Sequence, residues 1–346
     1  MYFPELKKKL GFGLMRLPMN GDTVDYATVS QMVDVFLEAG FNYFDTAHPY
    51  LQGQSEMAVK TCLSSRYPRE KFILANKLSA NFFQTREEIR PLIEKQLELC
   101  GVEYFDFFLL HAMGAERHKK MTDLDAYDIV QELKAEGKLR HVGFSFHDSP
   151  AVLEQILTEQ PEMEFVQLQF NYVDYTDLHV RSRECYEICR KYDKAVFIME
   201  PVKGGSLVNL PEEALALMEG KSPAGYALRF AAGFEGVEMV LSGMSNMAQV
   251  EDNVKTMGDF QPLSDKEQEM LAKVRTIYQA QNRIPCTACR YCTDGCPVNI
   301  DIPGIFQAVN EKQPVPEEIP CVACGQCETA CPQQLPIREL LKRIGK

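Results

Sequence analysis

The chain has 346 residues, 45% of them hydrophobic and 25% charged, with a formal net charge of −12. That length accommodates one large domain and a smaller companion, and the acidity excludes the basic face that nucleic-acid binding needs. No segment approaches the ~18 uninterrupted apolar residues of a membrane span, and no long apolar stretch follows the basic run in MYFPELKKKLGFG; a cytoplasmic protein with neither nucleic-acid nor membrane partners is expected.

Short apolar runs alternate with helix-length amphipathic stretches up to residue 257. LGFGLM (10–15) is the first strand candidate, followed by a helix over 28–39 that Gly40 closes. FNYFDTA (41–47) and KFILANK (71–77) are the next strands. The helix over 85–100 opens with Thr85 and Glu88 at capping-box spacing and stops at Gly101, although Pro91 sits inside its first turns. YFDFFLLH (104–111) precedes a helix over 123–136 that ends at Gly137. RHVGFSF (140–146), FVQLQFN (165–171), AVFIME (195–200) and VEMVLSG (237–243) complete eight strands. Eight strands alternating with helices over roughly 250 residues predict an α/β chain built as a (β/α)8 TIM barrel. An open doubly wound sheet would carry GxGxxG after its first strand, whereas Gly11-Phe12-Gly13 runs on into Leu14, Met15 and Arg16.

A last helix over 264–280 leads out of the barrel, and the texture then changes. The reading divides the chain into a barrel over 1–280 and a small C-terminal domain over 281–346. Eight of the twelve cysteines lie between Cys286 and Cys331. Ile284-Pro285-Cys286 recurs as Ile319-Pro320-Cys321, and each copy opens the same pattern: CTACRYCTDGCP (286–297) and CVACGQCETACP (321–332). Without a secretory leader such a cluster signals metal rather than disulfides. Both runs are C-x2-C-x2-C-x3-C-P, the spacing of bacterial two-cluster ferredoxins. Structural zinc sites, the alternative, pair two short knuckles across a longer gap and do not require the x3-C-P ending. The resemblance implies two [4Fe-4S] clusters, one held by Cys286, Cys289, Cys292 and Cys331, the other by Cys321, Cys324, Cys327 and Cys296. Cys62, Cys100, Cys185 and Cys189 lie on apolar helix patterns and read as buried, inert thiols.

Barrel chemistry sits where the strands end. Asp45, Lys77 and His111 close the second, third and fourth strands, and Tyr50 follows Asp45 in the next loop. Singly, each reads as a cap, a solvated charge or a core histidine; four on one rim read as a site. FNYFDTAHPYLQGQSE, ILANK and FFLLH resemble the signatures of the aldo/keto reductases over residues 8–257, and the whole chain resembles the ferredoxin-fused branch of that family. The resemblance implies an NADPH- or NADH-dependent reductase of a small aldehyde or ketone. Asp45, Tyr50, Lys77 and His111 fall on its catalytic positions, with Tyr50 as proton donor, Lys77 and Asp45 tuning it and His111 orienting the carbonyl.

Ser145 and Gln167 fall where the family holds the nicotinamide amide, Phe146 replaces the Asn that follows the first of these, and Met199 stands where an aromatic ring stacks. LSGMSNMAQVEDNV resembles the adenine-phosphate loop, which implies contacts from Gly243, Ser245, Asn246, Gln249 and Asn253. Gly243 and Gln249 replace the basic residues that grip a 2′-phosphate, so NADH stands beside NADPH. Lys203, with Gly204 and Gly205, touches the pyrophosphate or forms a solvated turn. The clusters transfer single electrons whereas the barrel moves a hydride, so the clusters serve an external partner, a bound flavin or stability alone; of these an external ferredoxin or flavoprotein is the expectation. The competing reading is an electron-transfer protein whose barrel binds nicotinamide or a flavin partner and whose clusters carry the activity.

Overall fold

The computed structural model describes residues 2–345. Eight parallel strands close a barrel: β1 (Leu10–Gly13), β2 (Tyr43–Asp45), β3 (Ile73–Leu78), β4 (Phe105–Met113), β5 (Leu139–Phe146), β6 (Phe165–Gln169), β7 (Ala195–Met199) and β8 (Val237–Gly243). Each pairs with its neighbour in sequence, and β8 returns to β1. The alternating pattern therefore yields the eight-stranded closed barrel that it predicts.

The helices between the strands are α1 (Tyr26–Glu38), α2 (Gln54–Val59), α3 (Ile89–Cys100), α4 (Ala115–Asp123), α5 (Ala126–Ala135), α6 (Pro150–Glu159), α7 (Ser182–Lys191), α8 (Glu212–Leu217), α9 (Pro223–Ala232) and α10 (Met247–Gly258), with α11 (Asp265–Ala280) after the barrel. Thr85 and Glu88 form the expected capping box, and Gly101 stops α3 at φ +65°, a conformation that costs glycine little. The largest departure from the sequence reading lies between residues 115 and 136. The helix expected over 123–136 begins at Ala126, because Asp125 is left-handed at φ +53°. Residues 115–123 form a separate helix that the sparse apolar pattern of AERHKKMTD does not announce.

Inside the barrel, Tyr43, Phe107, Leu109, Phe165, Phe197, Met239 and Leu241 form one buried cluster. Phe3 joins it from the N-terminal segment, with ring centroids 5.0 Å from Phe107, 6.0 Å from Phe165 and 5.8 Å from Phe197. These partners lie toward the N-terminal ends of their strands, so Phe3 plugs that mouth and leaves the opposite rim for chemistry. Outside the sheet, a larger apolar layer including Phe12, Phe36, Phe44, Phe108 and Phe144 packs the strands against the helices.

The chain forms two compact units, Met1–Pro201 with Ala224–Lys266, and Val202–Pro223 with Glu267–Lys346. The second is thus larger than the stretch past residue 280 where the sequence texture changes. It holds α12 (Tyr291–Asp294), α13 (Ile302–Asn310), α14 (Gln326–Ala330) and α15 (Ile337–Ile344) around Ile302, Phe306, Ile337 and Leu341. Asn310 clamps the entry to the first cysteine run, its amide accepting from the Ile284 N–H at 2.8 Å and donating to the Ile284 carbonyl at 2.9 Å. Gly204 lies at φ +62°, and a Cβ there would come within 2.5 Å of the Thr287 carbonyl oxygen, so only glycine fits this turn. Among the described residues no helix is long and apolar enough to cross a membrane.

Candidate active site

Strand alternation sends every second side chain of β3 into the barrel. Lys77 enters it almost fully buried at 1% exposure. Its ammonium donates to Asp45 Oδ1 at 2.6 Å and to the Thr46 carbonyl at 2.7 Å, and lies 4.8 Å from the centroid of the Tyr50 ring. Burial pushes the Asp45 carboxyl up and the Lys77 ammonium down, while each partner's charge opposes the other's shift. Tyr50 is carried by a turn in which Leu51, Gln52 and Gly53 all have positive φ. Ser55 fixes that turn, with its hydroxyl 2.7 Å from that of Thr46 and donating to the Leu14 carbonyl at 3.0 Å.

His111 is buried beside Tyr50, their ring centroids 6.0 Å apart in an edge contact. Its Nδ1 lies 2.6 Å from the Ser79 hydroxyl. Burial holds the imidazole well below the usual histidine range, and the charges of Lys77, Arg117 and His147 push the same way. The strand expected to end at His111 continues to Met113 through an irregularity at Ala112, where φ is +54°. The Ala112 N–H donates to Ser145 Oγ at 2.7 Å and its carbonyl accepts from Arg117 at 2.6 Å. Such irregularities re-aim side chains near active sites. The four residues expected to act together are therefore brought together on one rim.

For the expected nucleotide contacts, the arrangement is mixed. Gln167 is buried and its Oε1 has no hydrogen-bond partner among the described residues. An orphaned amide oxygen of this kind suits the NH2 of a nicotinamide carboxamide, so the residues present fit that group. Met199 ends β7, half-buried. Asn246 caps α10 by accepting from the Gln249 N–H at 3.0 Å, and the Gln249 amide oxygen accepts from the Ser245 N–H at 2.7 Å. Gln249 is thus committed to its own loop. Asn253 faces inward and donates to Ser242 at 2.8 Å. Arg16, which the sequence reading passes over, lies beside this loop. Its stem is 3.5 Å from where a Gly243 Cβ would lie, and its carbonyl accepts from Ser245 Oγ at 2.7 Å. Lys203 belongs to the second unit, in the turn with Gly204.

Two groups of four thiols line two pockets in the second unit. Cys286, Cys289 and Cys292 line one with Cys331; Cys321, Cys324 and Cys327 line the other with Cys296. Ile302, Phe306, Leu335 and Ile337 make the first pocket apolar. Burial pushes the Cys292 thiol up to about 12, with the neighbouring sulfurs of Cys289, Cys286 and Cys331 adding to it. Four crowded sulfurs need a cationic centre to hold them as thiolates, and a cluster supplies one. Among the described residues no three potential ligands converge on a single ion. Cys62, Cys100, Cys185 and Cys189 are buried apart from both pockets.

The tetrad's partners Ser79 and Arg117 were also missed. Ser79 was legible, since it shares the β3 parity of Lys77, whereas Arg117 lies on the helix that the sequence hides.

Residues 9–276 match the model of the aldo/keto reductase family, and residues 285–335 match that of a 4Fe-4S dicluster domain. Among curated proteins, the chain is 27% identical over 227 residues to the 9,11-endoperoxide prostaglandin H2 reductase of Trypanosoma cruzi, covering 64% of this chain and 73% of that one. It is 25% identical over 196 residues to the NADH-specific methylglyoxal reductase of Escherichia coli, covering 51% and 57%. Among solved structures, the holo form of aldo-keto reductase AKR11C1 from Bacillus halodurans superposes with a TM-score of 0.64 at 26% identity, over 77% of this chain and 91% of that one. This chain belongs to the aldo/keto reductase family and carries an iron–sulfur domain C-terminal to its barrel sequence.

Proposed function

We propose that the barrel reduces a small aldehyde or ketone to the alcohol with NADPH, NADH being the alternative, and that the C-terminal domain holds two [4Fe-4S] clusters that exchange single electrons with an external ferredoxin or flavoprotein. The observation that carries the first part is the buried Lys77 ammonium, paired to Asp45 at 2.6 Å and held against the Tyr50 ring. The nicotinamide, when bound, supplies hydride to the carbonyl carbon. Tyr50 gives its hydroxyl proton to the carbonyl oxygen, and product and phenolate result. A free phenol titrates near ~10, and the adjacent ammonium favours the phenolate and eases that transfer. Asp45 keeps Lys77 charged where burial alone would neutralise it.

His111 stays neutral. The Ser79 hydroxyl occupies Nδ1 at 2.6 Å and leaves Nε2 to face the substrate; in the tautomer that carries the ring proton on Nε2, His111 donates to the carbonyl oxygen and orients it. General acid catalysis of this kind is worth ~10²–10⁴-fold, and positioning of the reactants supplies much of the remainder. Gln167 supports a carboxamide contact through its orphaned oxygen. Arg16, whose stem lies beside Gly243, carries a guanidinium 3.7 Å from Glu200 and of the kind that nucleotide phosphates take.

The Escherichia coli relative makes methylglyoxal and NADH the first pair to try. Cluster-loaded protein, kept anaerobic, is given NADPH or NADH with methylglyoxal, other aldehydes, ketones and quinones, alongside Tyr50→Phe. Carbonyl-dependent nucleotide oxidation that collapses in the variant is expected. Equal oxidation by the variant, or none with either nucleotide, overturns the reductase reading.

A further inference from the structure

The motif that supplies Asp45 and Tyr50 ends in Glu56, a residue to which the reduction as derived above assigns nothing. Glu56 lies in the first turn of α2 and is fully buried. Its Oε2 lies 2.7 Å from His48 Nδ1, on the loop between Asp45 and Tyr50. Its Oε1 accepts from Asn76 Nδ2 at 2.9 Å and from Gln96 Nε2 at 3.2 Å. Those two amides close on the backbone of Lys77. Asn76 Oδ1 accepts from the Lys77 N–H at 2.8 Å, and Gln96 Nε2 donates to the Lys77 carbonyl at 3.0 Å. Gln96 Nε2 also lies 3.1 Å from Asn76 Oδ1, so its two hydrogens are shared among three acceptors, and the contact ties α3 to β3.

The arrangement follows from strand parity. Lys77 points into the barrel, so Asn76 points outward to the helix layer, where α2 and α3 supply Glu56 and Gln96. The cluster lies on the face of β3 opposite the Lys77 ammonium. One carboxylate thereby references two things that must meet: the strand that carries Lys77 and the loop that carries Tyr50. A fully buried carboxylate is costly unless hydrogen bonds and a countercharge offset its lost hydration, and apolar packing alone would brace β3 without that cost.

We propose that Glu56 is a positioning residue for the reduction, holding Lys77 through Asn76 and Gln96 and the Tyr50 loop through His48, so that ammonium and phenol stay in register. The inference deepens the reductase reading, but its test does not depend on finding a substrate. Full-length, cluster-loaded protein is labelled with 3-fluorotyrosine, and the Tyr50 signal is assigned in 19F NMR spectra by its loss in Tyr50→Phe. Glu56→Gln keeps the shape but removes the carboxylate's charge and turns the oxygen facing His48 into a donor, so His48 keeps that bond only by presenting an unprotonated Nδ1. The Tyr50 titration midpoint is expected to rise by about 1 pH unit, a ~10-fold weaker preference for the phenolate.

With methylglyoxal, kcat should fall ~10–100-fold while nucleotide Kd stays within twofold, since small misplacements cost rates of that order. His48→Gln, which keeps a donor toward Glu56, should hold the wild-type midpoint and most of the wild-type kcat. A Tyr50 midpoint unmoved in a folded Glu56→Gln protein, with only Tm lowered, overturns the proposal and leaves Glu56 a packing residue. If Glu56→Gln does not fold, Gln96→Leu is read by the same signal, and an unmoved midpoint there overturns it equally. If the wild type reduces no carbonyl yet the midpoint moves, the positioning stands and the reductase reading falls.

Discussion

Replacing Lys77 by methionine isolates the buried charge pair from its packing. Methionine fills most of the lysine stem, so the cavity contribution is small. What disappears are the charge-assisted bond to Asp45 at 2.6 Å and the bond to the Thr46 carbonyl at 2.7 Å. Asp45 Oδ2 already has no partner among the described residues, so the variant leaves a 3% exposed carboxylate with neither oxygen paired. Removing one member of a buried pair costs about 3–5 kcal/mol. For a chain of this size that corresponds to a Tm lower by roughly 10 °C.

The cost depends on pH, and its sign can be derived. Burial already raises the Asp45 pKa above its unfolded value, and Lys77 opposes that rise. Without Lys77 the folded state binds the Asp45 proton more tightly still. The variant's deficit is therefore smallest near the unfolded carboxylate value of ~4 and grows as pH rises through the folded value. Calorimetry of wild type and Lys77→Met at pH 5 and pH 8 should show the larger Tm gap at pH 8. Asp45→Asn added to Lys77→Met should restore about 2 kcal/mol, a coupling expected of contacting residues. A pH-independent gap, or a double variant no more stable than Lys77→Met, would refute the assignment of Asp45 as an ion that Lys77 holds in place.

Folded-state histidines should govern the acid side. Burial lowers His111 well below the usual range and takes His147 down to about 4, with Arg117 adding to both. The unfolded chain then binds more protons, so stability is lost as pH falls from ~6.5 toward ~4. Chemical denaturation across that window should show the decline, and His111→Gln with His147→Gln should flatten it. Cys331→Ser should abolish the cluster signal of the Cys286 pocket and spare the other, although Cys331 lies in the second run. Iron content and electron paramagnetic resonance should report loss of one cluster of two. Phe3→Ala removes the barrel plug and should cost about 3–5 kcal/mol, lowering Tm with little change in KM.

What the sequence conveys depends on range. The barrel was legible because each strand and helix repeats a local period, and the tetrad because chemistry falls at strand ends. Cys331 and Cys296 were assigned across runs only because the spacing resembles a known module. By contrast, α4 was hidden because AERHKKMTD buries only His118 and Met121. Arg16 was hidden for another reason: the β1–β8 closure brings it to Gly243 from the far end of the chain, and no local pattern encodes that neighbour. Phe3 precedes the first strand candidate and shares no local pattern with it, and only the finished barrel gives it a mouth to fill.

The membership of Val202–Pro223 in the second unit bears on how the protein is made. The ribosome releases this segment before β8, α9 and α10, yet its packing partners from Glu267 onward follow all three. Until Thr287 emerges, the left-handed turn at Gly204 lacks the backbone against which it rests. Cys331, needed at the Cys286 pocket, emerges after the other three thiols there and after the rest of the second run's thiols. Domains that fold as units during synthesis would complete the barrel strands first. A chain stopped before Cys331 would therefore carry all eight barrel strands, an unsettled 202–223 segment and a Cys286 pocket short of one thiol.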